Sequence, residues 1–351
     1  MKKQIIMAAV LLLAGCASPQ ESQEAEAPDL TPEVSVVHLA ESSNGHVFNM
    51  IAEKLGYLED EGLRVEYVHV NNDTEVFEGL KAGTIDIASN SGTNLPLQYI
   101  AEGMDLTIFG GYMLTGCMPV FTRKETEWHG ISDLIGSTMA CEPNLYAVTG
   151  PLLDLGYDPL NQVNWYNPDD QTERINAVKN GEADYGLVGT SLNYAVNSDP
   201  DLKVLTYACD ILPNYSCCRA EAMSSWLREH PNTVRALLKA WIRAMAYYES
   251  HHEETVKLVC SEINQDEEYV RAYLDNPRCD LKLDPMKSAV TRAWDYMDRL
   301  GLLDRTHHTE IEDHINIDLY KEALDACQKE YGSENPDFYE ELQAAYALNN
   351  Y

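Results

Sequence analysis

One segment of this chain is echoed at a fixed offset. Val65, Thr74, Glu75, Lys81, Gly83 and Asp86 recur 98 positions later as Val163, Thr172, Glu173, Lys179, Gly181 and Asp184, with Tyr67 matched by Trp165 and Leu80 by Val178. Leu55-Gly56-Tyr57 also returns as Leu155-Gly156-Tyr157. Both copies put Lys-x-Gly-x-x-Asp where a helical stripe stops and an apolar run begins, the junction of a helix with the next strand. Two similar units in 351 residues, more than one core usually supports, imply two lobes.

The elements around the echo alternate. Val34 to Ala40 is an apolar run suited to a buried parallel strand. A polar loop follows, then Val47, Ile51 and Leu55 at the spacing of an amphipathic helix that stops at Gly56. Val65 to Val70 reads as a strand, Thr74 to Ala82 as a helix closed by Gly83, Ile85 to Ser89 as a third strand, and Leu106 to Gly111 as a fourth. Such alternation makes an α/β fold with helices on both faces of a sheet. From Ala220 onward the chain is largely helical, with Trp241, Met245 and Tyr248 on one apolar stripe expected to pack as core.

The first residues set the compartment. Lys2 and Lys3 precede ten apolar residues, Ile5 to Ala14, which span about 15 Å as a helix, half of what a membrane crossing needs. This is the pattern of a secretory signal. The Leu13-Ala14-Gly15-Cys16 ending resembles a bacterial lipobox, which implies a signal peptide over residues 1–15 and lipidation at Cys16. Residues 16–33, rich in Ser, Gln, Glu, Ala and Pro, then form a flexible tether. With 57 acidic and 25 basic residues the chain repels nucleic acid. Eight further cysteines admit either disulfides or buried free thiols.

Several motifs appear in a definite order: Leu55-Gly56-Tyr57-Leu58 with Glu61-Gly62-Leu63-Arg64-Val65, Leu80-Lys81-Ala82-Gly83-Thr84-Ile85-Asp86-Ile87, and Ile131-Ser132-Asp133-Leu134-Ile135-Gly136. Gly156-Tyr157-Asp158-Pro159, Val178-Lys179-Asn180-Gly181-Glu182-Ala183-Asp184 and Trp226-Leu227-Arg228-Glu229-His230-Pro231-Asn232-Thr233-Val234 follow. In order and spacing they resemble the substrate-binding subunits of ABC importers, in the branch for sulfonates, taurine, nitrate and thiamine-pyrimidine precursors. The resemblance covers roughly residues 34–303. It implies a type II periplasmic-binding-protein-like α/β fold of two lobes, with residues 34–115 and 214–303 in lobe I and 116–212 in lobe II. Residues 304–351 remain as an acidic helical C-terminal extension. It also implies a monomer on the outer face of the membrane that delivers a small molecule to a permease, with no cofactor and no catalysis.

In open parallel sheets, ligands bind beyond the carboxyl ends of the strands, where loops enter helices. The loops in that position nominate Ser42, Asn44, His46, Ser91, Thr93, Asn94, Asn144, Tyr146, Gly189 and Thr190, joined by Tyr112 and Tyr215 near the expected crossovers. The hydroxyl and amide residues are equally good helix caps, and the tyrosines could stack on a planar ligand or pack the hinge. His46 stands at a helix start, where the dipole disfavours a charged imidazole, and it resembles the histidine that pyrimidine-binding members carry there. Asp86 and Asp184 look structural, because each follows a helix-ending glycine. The loops hold Glu41, Glu142, Asp169 and Asp170 but no Arg or Lys, which suits a neutral or amine-bearing heterocycle better than an oxyanion.

Two other classes compete. His251-His252-Glu253-Glu254 and the group His307, His308, Glu310 and His314 could ligate a metal, though such runs more often line a solvated helix face. A fungal pyrimidine synthase shares the expected architecture and uses a cysteine-rich motif, of which this chain has only Cys217-Cys218.

Overall fold

The structure is a computed structural model that describes residues 30–41, 45–168 and 170–351. The expected signal peptide, Cys16, most of the expected tether, Ser42, Asn44 and Asp169 lie outside the described residues. Among the described residues no helix is long and apolar enough to cross a membrane.

Residues Thr31–Tyr351 form one compact unit, with ten strands among the described residues. In chain order these are β1 (Val36–Ala40), β2 (Arg64–Val68), β3 (Leu106–Thr115), β4 (Pro119–Arg123), β5 (Thr138–Ala140), β6 (Asn164–Tyr166), β7 (Tyr185–Leu187), β8 (Leu202–Tyr207), β9 (Cys218–Met223) and β10 (Asp280–Leu281). One lobe holds a parallel β1-β2 pair and an antiparallel β10-β3-β9 sheet; the other holds a five-stranded sheet ordered β6-β5-β7-β4-β8. In the latter, β5 runs parallel to β6 and β7, while β4 is antiparallel to β7 and β8.

Two sequence expectations change. Val34 is not in the first strand, because the Glu33 and Val34 N–H groups donate to Thr233 Oγ1 at 3.0 and 3.2 Å instead of to a neighbouring strand. Ile85 to Ser89 is not a strand but two single bridges, Ile87 parallel to Leu39 and Ala88 antiparallel to Glu221. Adjacent residues pairing in opposite senses extend neither ladder, yet they stitch the β1-β2 pair to the β3-β9 sheet.

The echo has a physical basis in both lobes. Helices Asp73–Ala82 and Gln171–Asn180 are both ten residues long, start on a side-chain cap from Asn72 or Asp170, and end on Gly83 or Gly181 at φ 72° and 78°. Only glycine takes that left-handed turn without cost. The chain then delivers Asp86 and Asp184 to the same task. Asp86 Oδ2 accepts the His38 N–H of β1 at 2.8 Å and Asp184 Oδ2 the Thr138 N–H of β5 at 2.9 Å, so each clamps a parallel strand of its own lobe. Asp86 also meets His38 Nδ1 at 2.9 Å. Asp86→Ala is expected to cost about 1–3 kcal/mol in urea unfolding and the more exposed Asp184→Ala about 0.5–1.5 kcal/mol. Equal stability of both variants with the parent would show that the clamps do nothing.

The C-terminal helices join this core. Helix Asp318–Tyr331 lies along helix Pro231–Ser250 and buries Leu319, Tyr320, Leu324 and Cys327, while Arg235 Nε donates to Glu322 at 2.8 Å. At the chain end, Asn350 Nδ2 donates to Asp284 at 2.8 Å.

Candidate functional site

The carboxyl ends of β1, β2, β5, β6 and β7 open into a cleft of about 590 Å³, walled by both lobes. Eight of the nominated residues come together there: Ser91, Thr93, Asn94, Asn144, Tyr146, Gly189, Thr190 and Tyr215. Several have their polar atoms already engaged. Thr93 Oγ1 donates to the Cys217 carbonyl at 3.2 Å. Tyr146 donates its hydroxyl to the Tyr215 and Ser216 carbonyls, and Tyr215 accepts the Gly116 N–H at 3.0 Å. These two tyrosines fasten the returning crossover, and burial pushes both hydroxyls well above the usual tyrosine range. By contrast Thr190 Oγ1 and Asn144 Oδ1 are buried and lack a hydrogen-bond partner among the described residues. Unpaired buried acceptors of this kind are what an incoming polar ligand would satisfy.

His46 and Tyr112 are not in the cleft. His46 caps helix Val47–Lys54, its Nδ1 accepting the Asn49 N–H at 3.1 Å, and its ring is stacked between Tyr112 at 4.2 Å and Trp241 at 4.4 Å. It is only 2% exposed, and burial drives its pKa down to about 3. The ring points into the core because β3 and helix Pro231–Ser250 supply aromatic faces there. Tyr112 sits inside β3, which runs to Thr115, and its hydroxyl bridges the Val47 N–H and the Gly45 carbonyl, each at 3.2 Å.

The cleft contains a cation that the loop reading missed. Arg174 projects from helix Gln171–Asn180, is 5% exposed, and pairs with Glu142. It also donates to Asn167 Oδ1 at 2.9 Å and the Leu187 carbonyl at 3.3 Å, leaving Nε without a partner among the described residues. The available signal was its place on the buried stripe with Ile175 and Val178 of a helix that begins at the carboxyl end of β6. An arginine there must find an anion or carbonyls. Against this guanidinium the lining carries Glu41, Asp73 and Glu142. Partial desolvation raises the Asp73 pKa, and the Glu142 charge raises it further. One wall is sulfur-rich, with Met113, Met118, Cys217 and Cys218. All eight described cysteines are free thiols.

The two histidine-rich segments do not converge on a metal site. His251 stacks on Tyr247 at 4.1 Å, His252 Nε2 meets Asp275 at 2.6 Å, and His314 Nδ1 lies 2.6 Å from the Leu106 carbonyl. Among the described residues no group of three or more His, Cys, Asp or Glu side chains could hold a metal ion.

Two α/β lobes, a cleft at their strand ends and a crossover fastened by cleft tyrosines define the type II periplasmic-binding-protein class. Solved structures share this fold. The periplasmic aliphatic sulphonate binding protein SsuA of Escherichia coli matches with a TM-score of 0.66 at 16% identity, over 80% of this chain and 92% of that one. The periplasmic nitrate-binding protein NrtA of Synechocystis PCC 6803 also gives 0.66 at 16% identity, over 84% and 90%. The desulfurization enzyme DSZB gives 0.58 at 13% identity, over 84% and 99%. The chain belongs to the NMT1/THI5-like family, whose model matches residues 43–255. A comparison with curated protein sequences finds no match.

Proposed function

We propose that this protein is the extracytoplasmic substrate-binding component of an ABC importer, capturing a small polar organic molecule between lobes of residues 34–115 with 214–303 and residues 116–212. A lipid on Cys16 anchors it beside the permease, and the roughly 17-residue tether gives a reach of about 20–25 Å. The favoured ligand is a pyrimidine-like or amine-bearing heterocycle. The observation that carries this reading is the charge of the cleft: among the described residues three carboxylates face one guanidinium, whose charge is already met by Glu142. Thr190 and Asn144 offer open acceptors for ring N–H or amino groups, and the Met113 and Met118 thioethers give a polarizable surface for a planar ring. Membership of the NMT1/THI5-like family supports the same choice.

A second reading, an oxyanion such as a sulfonate or nitrate, draws on the unpartnered Arg174 Nε and on what the names of SsuA and NrtA say those proteins bind. Arg174→Lys separates the two, since lysine keeps the charge but loses the planar fork. Calorimetry is expected to show aminopyrimidine affinity changed by less than about threefold, about 0.7 kcal/mol. An alkanesulfonate ligand whose affinity fell tenfold or more, about 1.4 kcal/mol, would establish the oxyanion reading instead.

A further inference from the structure

Cys217 and Cys218 stand side by side where the returning crossover forms the cleft wall. They are only 8% and 6% exposed, yet both face the cleft, and their sulfurs lie 3.4 Å apart. The backbone before them is held in an unusual state. Asn214 and Ser216 take left-handed conformations at φ 51° and 65°, which non-glycine residues adopt at a cost. Two side chains keep them there: Arg292 donates to the Pro213 carbonyl at 2.8 Å and to that of Asn214, and Tyr146 grips the carbonyls of Tyr215 and Ser216. Packing alone does not require two adjacent thiols at the end of a segment fixed so firmly.

We propose that Cys217 and Cys218 form a redox-active dithiol in the cleft wall, whose reaction partner is a small, amine-bearing organic disulfide. The two thiols differ in character. Donation from the Cys218 thiol, with help from the Tyr215 hydroxyl, lowers the Cys217 pKa against the opposing effect of burial. The same contact, with burial, holds the Cys218 thiol well above its ordinary range. Cys217 is therefore the attacking sulfur and Cys218 the resolving one. In the first step the Cys217 thiolate attacks one sulfur of R–S–S–R, the old S–S bond breaks, and the leaving thiolate takes up the proton that Cys217 gave. In the second, Cys218 attacks the Cys217 sulfur of the mixed disulfide, the second RS group leaves, and it takes the Cys218 proton. The protein loses two hydrogens and gains one S–S bond, while the small disulfide is reduced to two thiols.

Closing that bond brings the sulfurs from 3.4 Å to about 2.05 Å. Neighbouring α-carbons are about 3.8 Å apart, shorter than the roughly 4.4–6.8 Å that disulfides usually bridge, so the closed ring is strained and easily reduced again. This makes it a reversible site and not a staple. The carboxylates of Glu41, Asp73 and Glu142 select a cationic reagent over an anionic one. The dithiol chemistry stands apart from the transport reading; only its consequence for ligand capture rests on that reading.

The test uses the full chain, cystamine as the disulfide, and peptide mapping by mass spectrometry. The expected product in the parent is a Cys217–Cys218 link that dithiothreitol reverses. In Cys218→Ser the reaction is expected to stop at one cysteamine adduct on Cys217, and in Cys217→Ser the rate at this site is expected to fall at least tenfold. Cys117 and Cys279 also face each other, away from the cleft, and supply the competing outcome. A Cys117–Cys279 bridge in place of the vicinal one, adducts confined to the half-buried Cys209 and Cys260, or no reaction would overturn the proposal. Matching thermal midpoints of the reduced parent and variants show that the rates compare folded proteins. Loss of ligand binding in the oxidised form would bear on transport, whereas the mapped link alone decides the chemistry.

Discussion

Truncating Trp241 to alanine is expected to cost about 3–5 kcal/mol, a large share of the stability of an ordinary domain. The side chain is fully buried in helix Pro231–Ser250, where it does two things at once. Its ring stacks on His46, and its Nε1–H donates to Asn49 Oδ1 at 3.0 Å. Asn49 is itself buried and uses its amide to reach Tyr67 at 2.8 Å. Alanine therefore leaves a cavity, an unstacked imidazole and a buried amide oxygen with no donor. Phenylalanine fills most of the space but cannot donate, so Trp241→Phe should cost about 1–2 kcal/mol. Urea unfolding reads both values. A loss below about 1 kcal/mol for Trp241→Ala would mean that this aromatic stack does not hold the lobe together.

His46 gives the second large effect, and its sign follows from burial. The ordinary pKa of 6.5 falls to about 3 in the folded protein because the ring has no access to water. Between those values the unfolded chain binds a proton that the folded one refuses. The stability from keeping the ring neutral is thus present above pH 6.5 and is lost as pH falls through that window towards 3. One such group contributes a slope of about 1.4 kcal/mol per pH unit. His46→Asn keeps a capping acceptor for the Asn49 N–H and removes the titration. The variant should be less stable near pH 7, where the stack is missed, and its stability should fall less steeply between pH 6 and 4. Parallel curves for parent and variant across that range would contradict the buried, neutral imidazole.

Features dictated by local chemistry were readable in the sequence. Caps, glycine stops and the repeated Lys-x-Gly-x-x-Asp mark the same helix ends that the structure has, because a left-handed residue after a helix is a property of a few neighbouring atoms. The strand-end rule likewise brought Ser91, Asn144 and Thr190 to one cleft, since it depends only on the direction of parallel strands. What failed depends on distant partners. Whether His46 turns to the cleft or to the core is decided by Tyr112 and Trp241, the latter nearly 200 positions away. Arg174 escaped notice because it reaches the cleft from a helix and meets Glu142 from another strand end. The segment at Ile87 and Ala88 has the composition of a strand, but its two neighbours run in opposite senses and each allows a single bridge.

Ligand-dependent stabilisation of the protein without residues 1–15 tests the central claim most directly. The panel comprises aminopyrimidines, alkanesulfonates, nitrate, polyamines and divalent metals. A ligand at about 100 times its dissociation constant should add roughly 2.7 kcal/mol, and an aminopyrimidine or related amine-bearing heterocycle is expected to do so without being consumed. Stabilisation by zinc alone, turnover of the bound compound, or no shift with any organic member of the panel would contradict the account.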